Sequence, residues 1–253
     1  FVVDDFTDRG LAFMEQNKQK PFFLYMAYNT PHSPMQVPDR WWNKFKNKDM
    51  EMLHHEPEKE DIPFTRAALA MCENIDWNVG RIVEKVEELD LSEKTIIVYL
   101  SDNGPNSWRW NSGMKGRKGS TDEGGVRSPL FVKWNGTLSA GKTVTEIAGS
   151  IDLLPTLADL AGIDFQPKKP LDGISLKPLL TQENSEWKER LLFSHWGKRT
   201  SVRSQRFRLD DKGKLFDMEN DPGQHENVTE KFPEISNRLL QAQKQWKNEV
   251  LSK

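Results

Sequence analysis

Thr95-Ile96-Ile97-Val98-Tyr99-Leu100, followed at once by Ser101-Asp102-Asn103-Gly104-Pro105, is the stretch that decides how this chain is built. A run of β-branched and aromatic residues reads as a strand over 95–100 buried on both faces, the mark of a covered sheet in an α/β protein. In such sheets ligands gather beyond the carboxyl ends of the strands. Asp102 and Asn103 emerge at that edge. Both offer hard oxygen ligands, and the Gly104-Pro105 turn aims them at one point, a composition suited to Ca²⁺ or Mg²⁺ rather than to a soft metal.

The loop that follows supplies cations and bare backbone in quick succession: Lys115, Gly116, Arg117, Lys118, Gly119, Glu123, Gly124, Gly125 and Arg127. Glycines let main-chain N–H groups approach a tetrahedral anion closely, and a lysine among them acts as a point charge. On composition alone, the same residues also fit a flexible basic surface loop after an Asx-turn.

Outward from this centre the chain alternates elements and then changes style. A helix over 7–17, capped by Thr7, is broken by Lys20-Pro21 before a strand over 22–28. In a long helix over 65–89, Ala68, Cys72, Ile75, Val79, Ile82, Val86 and Leu89 form a stripe that faces the sheet, which makes Cys72 a small buried hydrophobe. A strand over 129–134 and a helix over 151–161 complete the α/β portion. These strands fall short of the roughly five to six usual in a sheet, so the remainder is expected from sequence preceding Phe1. Short strands over 191–195, 200–209 and 214–218 and a helix over 233–251 predict a small antiparallel sheet with one packed helix. The Pro-, Lys- and Gly-rich stretch 164–178 marks the boundary, and the expected domains are 1–180 and 181–253.

Composition excludes more than it identifies. Among 253 residues, 36 Lys and Arg nearly balance 38 Asp and Glu, a net charge of −2 that argues against nucleic acid as a partner. No apolar run approaches the roughly 20 residues of a membrane-spanning helix. The single cysteine rules out an internal disulfide. Nine tryptophans invite a carbohydrate reading, with Trp108 and Trp110 inside the loop and Trp41 and Trp42 at a helix start. His54-His55 lies in a polar stretch and reads as solvated.

Asp102-Asn103-Gly104, followed by Lys118-Gly119-Ser120-Thr121-Asp122-Glu123-Gly124-Gly125-Val126-Arg127-Ser128-Pro129, resembles the sulfatase family of the alkaline phosphatase superfamily. So do Lys20-Pro21-Phe22 through Thr30-Pro31-His32-Ser33-Pro34, Ser150-Ile151-Asp152-Leu153-Leu154-Pro155-Thr156-Leu157, Leu171-Asp172-Gly173-Ile174-Ser175-Leu176, and Leu215-Phe216-Asp217 through Gln224-His225-Glu226-Asn227. The resemblance implies part of an alkaline-phosphatase-like α/β/α sandwich followed by a small C-terminal antiparallel sheet plus helix. The family's Cys- or Ser-x-Pro-x-Arg motif, whose first residue becomes the formylglycine nucleophile, is absent; the nearest spacing match, Gln36-Val37-Pro38-Asp39-Arg40, begins with a residue that cannot become an aldehyde. The chain is therefore identified as the C-terminal portion of a sulfatase, expected to be inactive alone and to need its N-terminal portion as partner.

Under that resemblance the reaction is hydrolysis of a sulfate ester, with a sulfated carbohydrate as substrate and a periplasmic or secreted location. Asp102 and Asn103 complete a site for one divalent metal, Ca²⁺ first and Mg²⁺ second. Lys118 holds the sulfate oxygens and His32 protonates the departing alcohol. On its residues alone His32, between Pro31 and Pro34, is equally a surface-turn histidine. His195, Trp108 and Trp110 are candidate substrate contacts. Glu123 orients Lys118 or pins the glycine turn, and Arg127 pairs with Glu123. Two alternatives stand: a phosphoesterase or phosphonate hydrolase of the same superfamily, and a non-catalytic module that binds sulfated glycans.

Overall fold

Val3, Thr7, Gly10 and Met14 recur at steps of four, three and four, and they are the buried residues of the first helix, α1 (Val2–Asn17). In this computed structural model, which describes residues 1–164, 166–182 and 187–251, the chain divides into two units. The first comprises Phe1–Tyr99, Ser107–Trp110 and Phe131–Gly136; the second comprises the remainder.

In the first unit α1 packs on α3 (Ile62–Glu88), as does α2 (Asp39–Phe45). Asn74 and Asn78 of α3 both donate to Asp4 Oδ1 at 2.8 Å, so the helix pair is registered by a polar fork as well as by apolar contact. Trp41 of α2 is buried and lies 5.7 Å from the Trp77 ring. Helix α3 starts at Ile62 rather than 65 because Asp61 caps it, accepting the Phe64 N–H at 3.0 Å, with Pro63 in the first turn. Thr7 is not a cap. It sits inside α1, where its hydroxyl donates back to Val3 O at 2.8 Å and meets the Tyr28 hydroxyl at 2.6 Å.

Three further expectations change here. Residues 22–28 alternate strictly between half-buried and exposed, as a strand would, yet no described strand pairs with them and they form no ladder. Strand β1 (Ile97–Leu100) pairs only with β2 (Leu130–Lys133), so its side chains are half-buried to exposed rather than covered on both faces. Cys72 is exposed, because the α3 stripe is covered at Ala68, Ile75 and Val86 but open at position 72.

The second unit is organised by a four-stranded antiparallel sheet in the order β3 (Leu192–Trp196), β4 (Arg199–Arg203), β5 (Phe207–Leu209) and β6 (Leu215–Asp217). The single strand expected over 200–209 is two, because the chain reverses after Arg203: Ser204 N–H donates to Phe207 O and the Phe207 N–H returns to Ser204 Oγ at 3.0 Å. Alternation then sorts the side chains. Val202, Leu209 and Leu215 point to one face and pack with Leu239 of α7 (Pro233–Leu251), forming the unit's core with Phe207 and Val228.

The opposite face is polar and grips the loop carrying Lys118 and α4 (Glu123–Val126). Arg208, 3 % exposed, donates Nε and Nη2 to Glu123 Oε2 at 3.1 and 2.7 Å and Nη1 to Thr121 O at 2.8 Å and Ser201 Oγ at 2.9 Å. Ser201 Oγ itself donates to Thr121 O at 2.6 Å, and Gln224 Oε1 accepts the Glu123 N–H at 2.8 Å. Helix α5 (Leu153–Leu160) is tied in by the fully buried Asp152, which accepts from Gly149 N, Ile174 N and Arg190 Nη1. α6 (Lys177–Thr181) follows, and Leu176 N before it donates to Thr156 Oγ1.

Breaking a buried pair strands a charge, so Arg208→Met in the full-length protein should lower unfolding stability by about 3–5 kcal/mol. Arg127→Ala, at a side chain 63 % exposed and 3.5 Å from the same Glu123, should cost less than about 1 kcal/mol. Denaturant titration separates the two, and equal losses would refute the ranking. Asp217 gives a pH test: its hydrogen bonds from Arg206, working against burial and helped by Asn220, hold its carboxyl at about 2. A carboxyl depressed on folding contributes stability that is present above its unfolded value, about 3.9, and is lost as pH falls through the folded value. The stability gap between wild type and Asp217→Asn should therefore be full at about pH 6 and shrink between about pH 4 and 2; a gap independent of pH would contradict this.

Candidate active site

Asp102 and Asn103 lie in the second unit, in the turn that follows β1. Asp102 is exposed and makes no hydrogen bond or ion pair among the described residues. Asn103 donates its side-chain amide N–H to Gly104 O at 2.8 Å, and its side-chain oxygen has no hydrogen bond among the described residues. Two hard oxygen donors thus stand side by side, a set that fits part of the shell of a calcium or magnesium ion. The turn is held against the glycine-rich loop: Gly104 N–H donates to Gly125 O at 3.0 Å, and a side chain at Gly104 would stand 1.9 Å from Gly124 O. Only glycine permits that approach.

Pro105 O, one residue on, accepts the Lys118 N–H at 2.8 Å, so the loop's lysine is positioned from the same turn. The loop's other cations are engaged. Lys115 pairs with Asp122 at 3.2 Å and Asp210 at 3.5 Å, Arg117 donates to Asn106 O at 3.0 Å, and Arg127 reaches Glu123. Half-buried Lys118 has no partner for its ammonium among the described residues. The reason is Glu123. That carboxylate, 5 % exposed, is taken by Arg208, by Arg203 at 3.7 Å and by Arg127, so it pins the turn and does not neutralise Lys118. Burial lowers Arg203, against the pull of Glu123, to about 10, which leaves it charged at neutral pH.

The hairpin of β3 and β4 borders this loop. His195 and Trp196 are adjacent and so point to opposite faces. His195 takes the α7 side: its Nδ1 lies 2.8 Å from Thr200 Oγ1 and its ring 6.1 Å from that of Trp246. Trp196 takes the loop side with its cross-strand partner Arg199, whose Nη1 donates to Gly119 O at 2.8 Å. Sequence reasoning passed over Trp196, Arg199, Ser201 and Arg208. For Arg199, Ser201 and Arg208 the signal was a polar residue at every second position of a strand, a pattern that a solvent-facing strand shares.

His32, Trp108 and Trp110 belong to the first unit. His32 is exposed between two cis X-Pro bonds, Thr30–Pro31 and Ser33–Pro34, with its Nδ1 2.8 Å from Ser33 O and its Nε2 without a hydrogen bond among the described residues. Trp108 carries Lys59 over its ring at 4.9 Å and meets His54 edge-on at 5.0 Å, whereas Trp110 is half exposed. His54 is not solvated: it is 4 % exposed, its N–H donates to Glu60 at 2.8 Å, and its Nδ1 accepts from Glu56 N at 3.1 Å. Burial, with His55 beside it, lowers its pKa. His54, His55 and Glu56 bring ligand atoms within 4.8 Å of one another, but the Glu56 carboxylate is already paired with Lys59 and one His54 nitrogen is occupied.

Comparison with known proteins gives this geometry its relatives. A sulfatase family model matches residues 3–163, and a model for the C-terminal part of N-sulphoglucosamine sulphohydrolase matches 118–249. Arylsulfatase A of Bos taurus is 30% identical over 273 aligned residues, covering 94% of this chain and 50% of that protein. Among solved structures, Ps i-CgsB in complex with k-i-k-neocarrahexaose superposes with a TM-score of 0.83 at 27% identity, covering 97% of this chain and 55% of that one. The phosphonate monoester hydrolase SpPMH from Silicibacter pomeroyi superposes with a TM-score of 0.75 at 20% identity, covering 97% and 59%, a likeness of fold alone. The chain spans about half the length of these proteins. Its α/β portion and its C-terminal antiparallel sheet with one helix are those of a sulfatase fold. With family models matching along nearly its whole length, the chain belongs to the sulfatase family.

Proposed function

We propose that the full-length protein hydrolyses sulfate esters and that this chain supplies the groups that hold and neutralise the sulfuryl group rather than the nucleophile. The observation that carries this reading is the uncompensated ammonium of Lys118, in a loop whose other cations are all engaged and where the two family matches overlap. Residues 1–180 would belong to the catalytic domain and 181–253 to its C-terminal subdomain. Membership of the sulfatase family favours a sulfate ester over the phosphonate monoesters named for the more distant Silicibacter protein.

The roles follow from charge. A sulfate monoester carries negative charge on its non-bridging oxygens, and more develops on the bridging oxygen as the S–O bond breaks. Lys118 would hold the non-bridging oxygens electrostatically, at a site preorganised because Pro105, Gly119 and Thr121 fix the loop backbone around it. His32 would give its proton to the bridging oxygen, so that the product leaves as an alcohol rather than an alkoxide. Asp102 and Asn103 would hold one divalent cation, calcium by preference, which when bound supplies Lewis acidity at the sulfate. The nucleophile, a formylglycine, is expected in the N-terminal portion of the protein. A sulfated carbohydrate is the proposed substrate class, supported by the oligosaccharide bound to the relative Ps i-CgsB and by the half-exposed ring of Trp110.

Lys118→Ala in the full-length protein should lower kcat/KM for a chromogenic aryl sulfate by roughly 10²- to 10³-fold, the range for one lost preorganised electrostatic contact. Wild-type kinetics would return Lys118 to an ordinary loop cation. Asp102→Ala should abolish both turnover and stoichiometric calcium measured by elemental analysis of the dialysed protein. Retention of the metal with full activity would remove Asp102 from the ligand set.

A further inference from the structure

The β3–β4 hairpin reverses through Gly197-Lys198 with positive φ only at Gly197, a two-residue turn that leaves Trp196 and Arg199 directly paired across the strands. Both side chains stand on the face that grips the loop. Arg199 is fastened to Gly119 O, and a methyl group added at Gly119 would lie 3.6 Å from Trp196 Nε1. The indole therefore rests beside the backbone that follows Lys118. Yet Trp196 is 63 % exposed, and its N–H makes no hydrogen bond among the described residues.

The surroundings of this open ring are cationic. Lys118 precedes Gly119 in the chain, Lys198 occupies the hairpin turn, and neither has an ion pair among the described residues; Arg199 adds a third positive charge. A flat apolar face, a free N–H donor and uncompensated cations together match a hydroxylated ring that carries anionic groups. The C–H face of such a ring covers the indole, its hydroxyls take the N–H, and its sulfates meet the cations. We propose that Trp196 is the stacking platform for a sugar ring of a sulfated oligosaccharide, positioned by Arg199 and Gly119 next to the sulfate held by Lys118. The proposal rests on the reading of Lys118 as a sulfate contact. It assigns to Trp196 the place that the sequence suggested for its neighbour His195, which lies on the α7 face.

The test is calorimetric binding to the full-length protein, with carrageenan, heparin and chondroitin sulfate oligosaccharides and their desulfated counterparts as probes. Trp196→Ala should weaken the best-bound sulfated probe and its desulfated form alike, by about fivefold to tenfold, as expected for one lost aromatic contact. The preference for the sulfated form should survive, and Trp196→Phe should recover at least half of the loss. Affinities within twofold of wild type in Trp196→Ala would overturn the proposal, as would binding of no probe by the wild type or a phenylalanine variant as weak as alanine. Collapse of the sulfate preference in Trp196→Ala would also overturn it, by showing that the indole merely props the loop. Lys118→Ala is the separate control: it should reduce the sulfate preference alone, and an unchanged preference there would sink the underlying reading of Lys118 without touching the Trp196 result.

Discussion

The buried pairing of Arg208 with Glu123 is the constraint on which the second unit depends. A guanidinium and a carboxylate removed from water are stable only when nearly every donor and lone pair finds a partner, and here the guanidinium meets a carboxylate, a main-chain carbonyl and a serine hydroxyl. The geometry is unforgiving. Satisfying Arg208 requires Thr121 and Glu123 to stand at fixed places over the sheet, so the loop segment that carries them takes one shape instead of many. An apolar contact of similar area would hold the loop down without fixing its register, because it has no preferred direction.

The same pair decides the electrostatics next door. Lys118 lies five residues before Glu123, and in a looser loop the two would neutralise one another. Three arginines compete for that carboxylate, and two of them, buried Arg208 and half-buried Arg203, are backed by the strands. The ammonium of Lys118 is thereby left without an ion pair among the described residues, the state that the proposed role of holding an anion requires. An uncompensated lysine destabilises a fold slightly through repulsion from its neighbours, and strong anchoring of the loop allows that charge arrangement to persist.

How much of this was legible in the sequence follows from how far each interaction reaches along the chain. Helix α7 runs over the residues that its apolar spacing predicts, and the C-terminal strands were found because alternation is a local signal. The split at Ser204 was missed because a tight serine-bonded reversal leaves little trace in hydrophobicity. Residues 22–28 keep the alternation of a strand, but a ladder is a property of two segments and the described residues contain no partner. The expected burial of 95–100 failed for the same reason. Arg208 and Glu123 lie 85 residues apart, and neither residue type announces a buried partner, since most arginines and glutamates are solvated. Loop composition pointed to an anion site; which lysine remained free depended on distant arginines.

Alternation also separates two neighbours that adjacency in sequence does not distinguish. His195 was the more conspicuous residue because imidazole chemistry is familiar in hydrolases, but a strand sends neighbours to opposite faces. Phe193 and His195 both meet Trp246, so that face is committed to α7. Ser201, Arg203, Arg208 and Asp210 are committed to the loop, and Trp196 and Arg199 share their face at the tip of the hairpin. The sheet therefore works on both sides: its apolar face supplies the cohesion that keeps the strands flat against α7, while its polar face transmits that rigidity to the loop. Because Pro105 and Gly104 bond to Lys118 and Gly125, the rigidity extends to Asp102 and Asn103. The oxygens proposed to hold a metal and the lysine proposed to hold an anion are thus joined through one continuous set of backbone hydrogen bonds, which fixes the positions from which they would meet a substrate.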